Sequence, residues 1–447
     1  MNNQAFQPPA FIVGKERSGT TLLSAMLNRH PMVCVTPETD FLYKLFNYPG
    51  GDAGFIKDWP QSLYSIIDKM DPTAHWNKPA KQVYDYLNGH PVSGKEAFMS
   101  LGKIICNRYG KPLWIEKTPN HILCLPFIRQ LFPKSPIIHI VRDGRDVSNS
   151  LTKVKFGSQN FFENLWLWMD AVRKFNSFSE NDGNNITIRY EDLIQNPEKT
   201  IREVCKFLNI TYNHEILTPN GSESALIIKH ENHMNQASEP IDTSKLANWK
   251  KSLTPELQKA ALMIAHKELI QYGYENASSD NPKTLCISVL LLLSKQHRQL
   301  YDSILYTIAK TTPPYTFEST YSLNDYIPKK QPSLWIIDDI PLPNPDQRKS
   351  SIVFFLYLIK TLIYILKFKI TGTRFVWILH PNQEKSRHWL IHRVGELFLA
   401  KIANIIILVK DNKHNIEEIY RFYRLDKNNC ILSDSPDLCN RLVNHIK

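Results

Sequence analysis

Short apolar runs alternate with longer segments of helical periodicity from residue 10 to about residue 275. Runs of four to six residues at 10–13, 32–36, 113–116, 136–141 and 185–190 read as buried strands. Helix-length segments separate them, so the pattern predicts a mainly parallel sheet flanked by helices, a three-layer α/β architecture. A polar Asn/Ser/Asp/Pro stretch then predicts a linker at 277–283. Beyond it a second alternation begins, with strands at 284–293, 334–337, 373–379 and 404–409 and helices at 296–309 and 387–402. At 447 residues the chain exceeds one typical core. It reads as a domain over 1–276 and a smaller Rossmann-like domain over 284–447.

The first strand runs into Gly14-Lys15-Glu16-Arg17-Ser18-Gly19, and Thr20-Thr21 opens a helix. Backbone N–H groups at such a turn have no internal partner, and the helix dipole adds to their pull on an anion. The glycine spacing is that of a phosphate-binding P-loop, G-x-x-x-x-G-K-[ST], but Thr20 stands in the place of the lysine. Lys15 and Arg17 carry the cationic charge on the other side of the turn. An ordinary strand-to-helix turn is the competing reading.

A second anion site is predicted where the strand at 136–141 ends in Arg142-Asp143-Gly144-Arg145. An arginine there lies at the carboxyl edge of a parallel sheet, where open α/β folds bind ligands. Ser150, eight residues on, falls about two turns into the next helix, on the face returning to that crevice. Together they offer one charge-assisted and one neutral hydrogen bond to a phosphate. A salt-bridged helix start is the alternative.

Composition narrows the ligand class. Lysine and arginine number 54 against 43 acidic residues, a formal charge of +11, which suits polyanionic nucleotides or sulfated products. No basic block is dense enough to predict nucleic-acid binding. Seven dispersed cysteines without C-x-x-C spacing predict buried thiols in a reducing, cytoplasmic setting, and no metal site is expected. The short polar stretch before the first strand predicts no signal peptide. The stretch 352–370 is interrupted by Lys360, Lys367 and Lys369; it predicts at most peripheral contact with a membrane surface.

With both anion sites in view, the chain resembles the sulfotransferases that use 3′-phosphoadenosine 5′-phosphosulfate (PAPS). Arg17-Ser18-Gly19-Thr20-Thr21 resembles their 5′-phosphosulfate loop, and Arg142 with Ser150 their 3′-phosphate motif. The likeness continues through Ile188-Arg189-Tyr190-Glu191-Asp192-Leu193, Asn196-Pro197-Glu198, the segment Cys205 to Ile210 and Asn248-Trp249-Lys250. It implies that Lys15, Arg17, Ser18, Gly19, Thr20, Thr21, Arg142 and Ser150 hold PAPS, with 3′,5′-adenosine bisphosphate (PAP) as product and Tyr190 near the adenine. Intact cations at both sites argue against a non-catalytic nucleotide-binding scaffold. A P-loop nucleotide kinase is the enzymatic alternative, and it requires a lysine at position 20.

Sulfuryl transfer needs a base for the acceptor proton and cations for the transferred group and leaving phosphate. Thr36-Pro37-Glu38-Thr39-Asp40-Phe41 resembles the E-x-x-F element of heparan sulfate and tyrosylprotein sulfotransferases, whose glutamate is the base. Lys117, in Glu116-Lys117-Thr118, resembles a lysine facing the sulfuryl group. The expectation is therefore Glu38 as base, Lys117 as electrostatic stabiliser and Glu116 as the competing base. Glu38 as a helix-start carboxylate and Glu116 as a structural bridge remain open. His121 is expected on the surface or in a cap, and His139 in the core. Trp166 and Trp168 are candidates to line an acceptor channel, with core packing expected for at least one of them.

Residues 284–447 resemble the N-terminal half of a GT-B glycosyltransferase, on the order of Leu334 to Asp338, Phe375 to Asn382 and Ala403 to Leu408. The resemblance implies acceptor recognition without glycosyl transfer. The competing reading is an unrelated α/β domain. The neighbour turns the expected hydroxyl acceptor toward a small molecule or saccharide, a carbohydrate or glycolipid. Asp338-Asp339 read as a solvated turn.

Overall fold

The computed structural model describes residues 6–67, 78–218 and 246–276, together with six strands between 285 and 432. The chain divides into two units, Met1–Ser252 and Leu253–Lys447.

In the first unit, β1 (Ala10–Val13), β2 (Val33–Thr36), β3 (Leu113–Lys117), β4 (Ile137–Val141) and β5 (Asn185–Arg189) form one sheet in the order β2-β3-β1-β4-β5. Every pairing is parallel, so the carboxyl ends of all five strands share one edge. The order reverses between β1 and β4, and an open α/β sheet forms its ligand crevice at such a point.

Alternation along β1 separates the two cores. Phe11 and Val13 join Trp114, Phe98 and Phe132 on one face. Ala10 and Ile12 join Val33, Val35, Ile115, Ile138 and Ile140 on the other. The second face is covered by α1 (Thr20–Asn28), through Leu23, Met26 and Leu27, and by a later helix, Pro197–Phe207, through Ile201, Val204 and Cys205. The first face is covered by short helices that include α2 (Phe41–Phe46), by α3 (Gly94–Tyr109) and by α5 (Phe161–Ser179). Between the last two, α4 (Gly144–Leu151) follows β4 and carries Ser150. Phe98 is fully buried against Phe11, Phe41, Trp114 and Phe132; truncating such a ring costs about 3–5 kcal/mol.

The second unit contains the helix Pro255–Gln271, which the sequence places with the first domain. Among its described residues are β6 (Leu285–Leu290), β7 (Tyr315–Ser319), β8 (Leu334–Asp338), β9 (Arg374–Leu379), β10 (Ile405–Leu408) and β11 (Cys430–Leu432). They pair in parallel in the order β11-β10-β9-β8-β6-β7. Four of these strands were expected; β7 and β11 were not. The expected linker, the helices at 296–309 and 387–402, the stretch 352–370 and Asp339 lie outside the described residues. No helix among the described residues is long and apolar enough to cross a membrane.

Candidate active site

The loop after β1 is shaped by close approach. A Cβ on Gly14 would stand 2.4 Å from the Ile140 carbonyl oxygen, so only glycine lets the chain leave β1 hard against β4. Gly19 has φ +99°, and a Cβ there would stand 2.3 Å from the Tyr190 ring. Gly19 caps α1 without any side-chain hydrogen bond, leaving the first-turn amides directed into the loop. Ser18 is fully buried and its hydroxyl has no hydrogen-bond partner. An orphaned hydroxyl at a helix N-terminus fits an anion as its missing partner. Thr20, in the place of the P-loop lysine, is the buried first residue of α1.

The two expected anion grips meet. Arg17 takes a left-handed backbone conformation, φ +69°, and its Nε donates to Ser150 Oγ at 3.0 Å. Lys15 Nζ lies 2.5 Å from Glu16 Oε2, a neighbour to which the sequence reading gave no role. Arg142 leaves the end of β4 with its guanidinium 4.6 Å from the Tyr190 ring centroid and an amino group 3.3 Å from Asp146 Oδ2. Loop, arginine and tyrosine therefore form one wall, since the same ring abuts Gly19. Burial pushes the Asp146 carboxyl up, against the pull of Arg142 and of the Trp249 amide that donates to it at 2.8 Å.

The salt-bridged helix start considered for Arg142-Asp-Gly-Arg145 is also present, in its other half. Buried Arg145 donates to both oxygens of Asp143, at 3.0 and 2.7 Å, and stacks 3.6 Å from the Trp249 ring. Asp143 caps α4 by accepting from the Arg145 amide. This fixed pair leaves Arg142 as the arginine at the crevice. Asn149 extends the anchorage, donating to Ser252 Oγ at 2.8 Å.

At the ends of β2 and β3, Lys117 Nζ donates to Glu38 Oε1 at 2.6 Å. The lysine side chain is 1% exposed and the glutamate 36%. Glu38 thus presents a carboxylate to solvent with a buried cation behind it. Glu116, one residue before Lys117, points to the opposite face and is completely buried. Its Oε1 accepts from Thr39 Oγ1 at 2.8 Å and Thr118 Oγ1 at 2.7 Å, and its Oε2 lies 2.8 Å from His121 Nδ1. Burial opposes ionisation of Glu116, but His121 and the two threonines more than offset it, and the carboxyl titrates below its ordinary range.

His121 corrects the expectation of a surface or capping residue: it is fully buried beside Glu116. Pro119 begins a 3-10 turn, Pro119–Cys124, that carries the imidazole inward. His139 is in the core, stacked 3.9 Å from Phe175, and burial lowers its pKa to about 3. Trp166 and Trp168 are both buried. Trp168 packs on Gly144 and donates to the Arg142 carbonyl at 3.0 Å, bracing the strand end that holds the arginine. Among the described residues no group of three or more metal-ligating side chains occurs.

The sequence model of the sulfotransferase family matches residues 8–214, which span both anion sites and the Glu38–Lys117 pair. Protein-tyrosine sulfotransferase 1 of Danio rerio is 27% identical over 281 residues, covering 60% of this chain and 72% of its own. The Homo sapiens protein of the same name is 26% identical over 279 residues, covering 60% and 70%. The sulfotransferase domain from the Synechococcus PCC 7002 olefin synthase, a solved structure, is 21% identical, with a TM-score of 0.47 over 62% of this chain and 98% of that one. The family match falls on the loop, arginine and serine of the two expected anion sites, and over residues 8–214 the chain is similar to the sulfotransferase family.

Proposed function

We propose that the protein transfers a sulfuryl group from PAPS to the phenolic hydroxyl of a protein tyrosine. The observation that carries this reading is the Glu38 carboxylate, half open to solvent and held 2.6 Å from buried Lys117, at the same sheet edge as the Arg17–Ser150 wall. The relatives supply the acceptor: proteins named protein-tyrosine sulfotransferases align over most of their own length. They turn the expectation from a saccharide to a tyrosyl hydroxyl.

The donor supplies a sulfuryl group on a phosphate leaving group. The loop amides and the buried Ser18 hydroxyl fit its 5′ end, and Arg142 with Ser150 fits a 3′-phosphate. Glu38 is placed to accept the acceptor's proton, and Lys117 to neutralise charge on the transferred oxygens. The acceptor oxygen forms its bond to sulfur, the sulfur–oxygen bond to phosphate breaks, and the bisphosphate departs with that electron pair. Buried Thr20 supplies no cation where a kinase needs its lysine. The second unit, a parallel sheet in its described strands, fits an acceptor-recognition or assembly role.

The test is mass spectrometry of a tyrosine-containing peptide and of a mixed glycan pool, each incubated with enzyme and PAPS. One sulfuryl increment on the tyrosine of the peptide is the expected result. An increment confined to the glycans would overturn the acceptor assignment, and none on either would overturn the activity.

A further inference from the structure

The buried hydroxyl network behind the Glu38–Lys117 pair has a geometry of its own. Glu116 and Thr118 flank Lys117 and share the opposite face of the chain. The Thr118 hydroxyl donates to Glu116 Oε1 at 2.7 Å and accepts from the Thr39 amide at 3.0 Å and the Asp40 amide at 3.4 Å. The Thr39 hydroxyl donates to the same Oε1 at 2.8 Å and accepts from the Phe41 amide at 3.2 Å. His121 Nδ1 lies 2.8 Å from the other carboxylate oxygen, at ion-pair distance but without hydrogen-bond alignment. Thr39, Glu116, Thr118 and His121 are each at most 1% exposed. The residue after Glu38 is thereby tied to both residues that flank Lys117.

We propose that Thr118, Thr39 and Glu116 are positioning residues of the sulfuryl-transfer site, a buried clamp that sets where Glu38 stands relative to Lys117. The inference rests on the reading of Glu38 as base. It gives Glu116 a different task from proton transfer: its Oε1 is taken up by two hydroxyls on the buried face, and solvent does not reach the carboxylate. The clamp joins β3 to the loop after β2 through protein groups alone, which preorganises the pair. Misplacing a reacting group by about 1 Å costs on the order of 100-fold in rate, which is the scale on which such a clamp acts.

The experiment compares wild type with Thr118→Val, Thr118→Ser, Glu116→Gln, Glu116→Leu and Glu38→Gln. For each, kcat and KM with PAPS and a tyrosine-containing peptide, PAP affinity and the unfolding midpoint are measured, and the Glu38–Lys117 separation is read from crystals of wild type and Thr118→Val. Thr118→Val, which keeps the shape and removes the hydroxyl, is expected to lower kcat about 100-fold at unchanged KM for PAPS. Thr118→Ser restores it to within about threefold, and Glu116→Gln, which keeps an acceptor oxygen, exceeds Glu116→Leu by about tenfold. Wild-type turnover in Thr118→Val, a loss there that only tracks the unfolded fraction, or equal silence of Glu116→Gln and Glu116→Leu would overturn the clamp. So would an unchanged Glu38–Lys117 separation in the Thr118→Val crystal, a readout that stands even if the peptide is not an acceptor. An active Glu38→Gln beside an impaired Thr118→Val would instead remove Glu38 as base and leave the clamp in place.

Discussion

Lys117 and Glu38 meet at 2.6 Å with their exposures inverted: the cation is 1% exposed and the carboxylate 36%. A buried ammonium without its partner is costly, so the lysine holds the glutamate at the mouth of the site. Glu38→Gln retains the shape and removes the proposed base. It is expected to lower kcat by about 10²- to 10⁴-fold. PAP affinity, measured by calorimetry, should stay near wild type, because the loop and Arg142 are untouched; a variant with normal turnover would exclude Glu38 as base.

Arg142 and Ser150 should separate PAP from ADP. The wall they form with Arg17 and Tyr190 suits a ligand with a second phosphate-bearing end, which ADP lacks. Wild type should bind PAP more tightly than ADP. Ser150→Ala removes one neutral hydrogen bond and should weaken PAP about two- to tenfold, and Arg142→Ala removes a charge-assisted one and should weaken it about 10- to 100-fold. ADP affinity should change little in both variants. Equal affinities for PAP and ADP in wild-type calorimetry would refute the two-ended ligand.

The sheet was legible because β1, β2 and β4 are buried along their whole length and sharply bounded. β1 has the expected bounds: four buried residues lie between a proline-rich entry and Gly14. The ends of other strands moved for reasons local pattern does not contain. β2 begins after Met32, which is 49% exposed, and β3 runs on to Lys117, a lysine whose burial depends on a glutamate from another loop. The anion loop and Arg142 were readable from residue type and order alone. The contact between Arg17 and Ser150 was not, since 133 positions separate them and only the sheet order joins them. His121 escaped for the same kind of reason: its partner Glu116 lies on a strand, and the turn at Pro119 cancels any helical phase between them. β7 and β11 were missed because a Thr/Ser-rich pentapeptide and a tripeptide carry too little apolar signal to stand out.

Gly19 and Gly110 offer a matched pair for testing the loop. Both have positive φ, +99° and +64°, but a Cβ at Gly19 would strike the Tyr190 ring at 2.3 Å, whereas one at Gly110 would meet nothing within 4 Å. Gly110→Ala should cost about 1–2 kcal/mol for its left-handed backbone alone. Gly19→Ala adds a collision with a buried ring that also carries Arg142, so it should lower the unfolding midpoint further and weaken PAP binding. Thermal unfolding and calorimetry of the two variants would check this. Equal midpoints and equal PAP affinities would mean that the ring gives way freely and does not support the loop.

His139 should set part of the acid limit of stability. Its folded pKa is lowered to about 3 from an ordinary 6.5 because burial against Phe175 excludes the charged form. Between those values the unfolded chain binds the proton and the folded chain does not, so stability rises with pH across this window and falls as pH drops below 6.5. At pH 5 the unfolded chain is almost fully protonated at this position and the folded chain is not, a difference of about 2 kcal/mol relative to neutral pH. Glu116, whose folded pKa is depressed, adds its own loss further down, as pH falls through the carboxylate range. Denaturant unfolding at pH 7 and pH 5 should therefore show a loss of at least this size in wild type. His139→Phe, which preserves the stack and cannot be protonated, should shrink the loss by about 2 kcal/mol. An identical pH dependence in the variant would show that the imidazole reaches solvent or a proton partner before the fold opens.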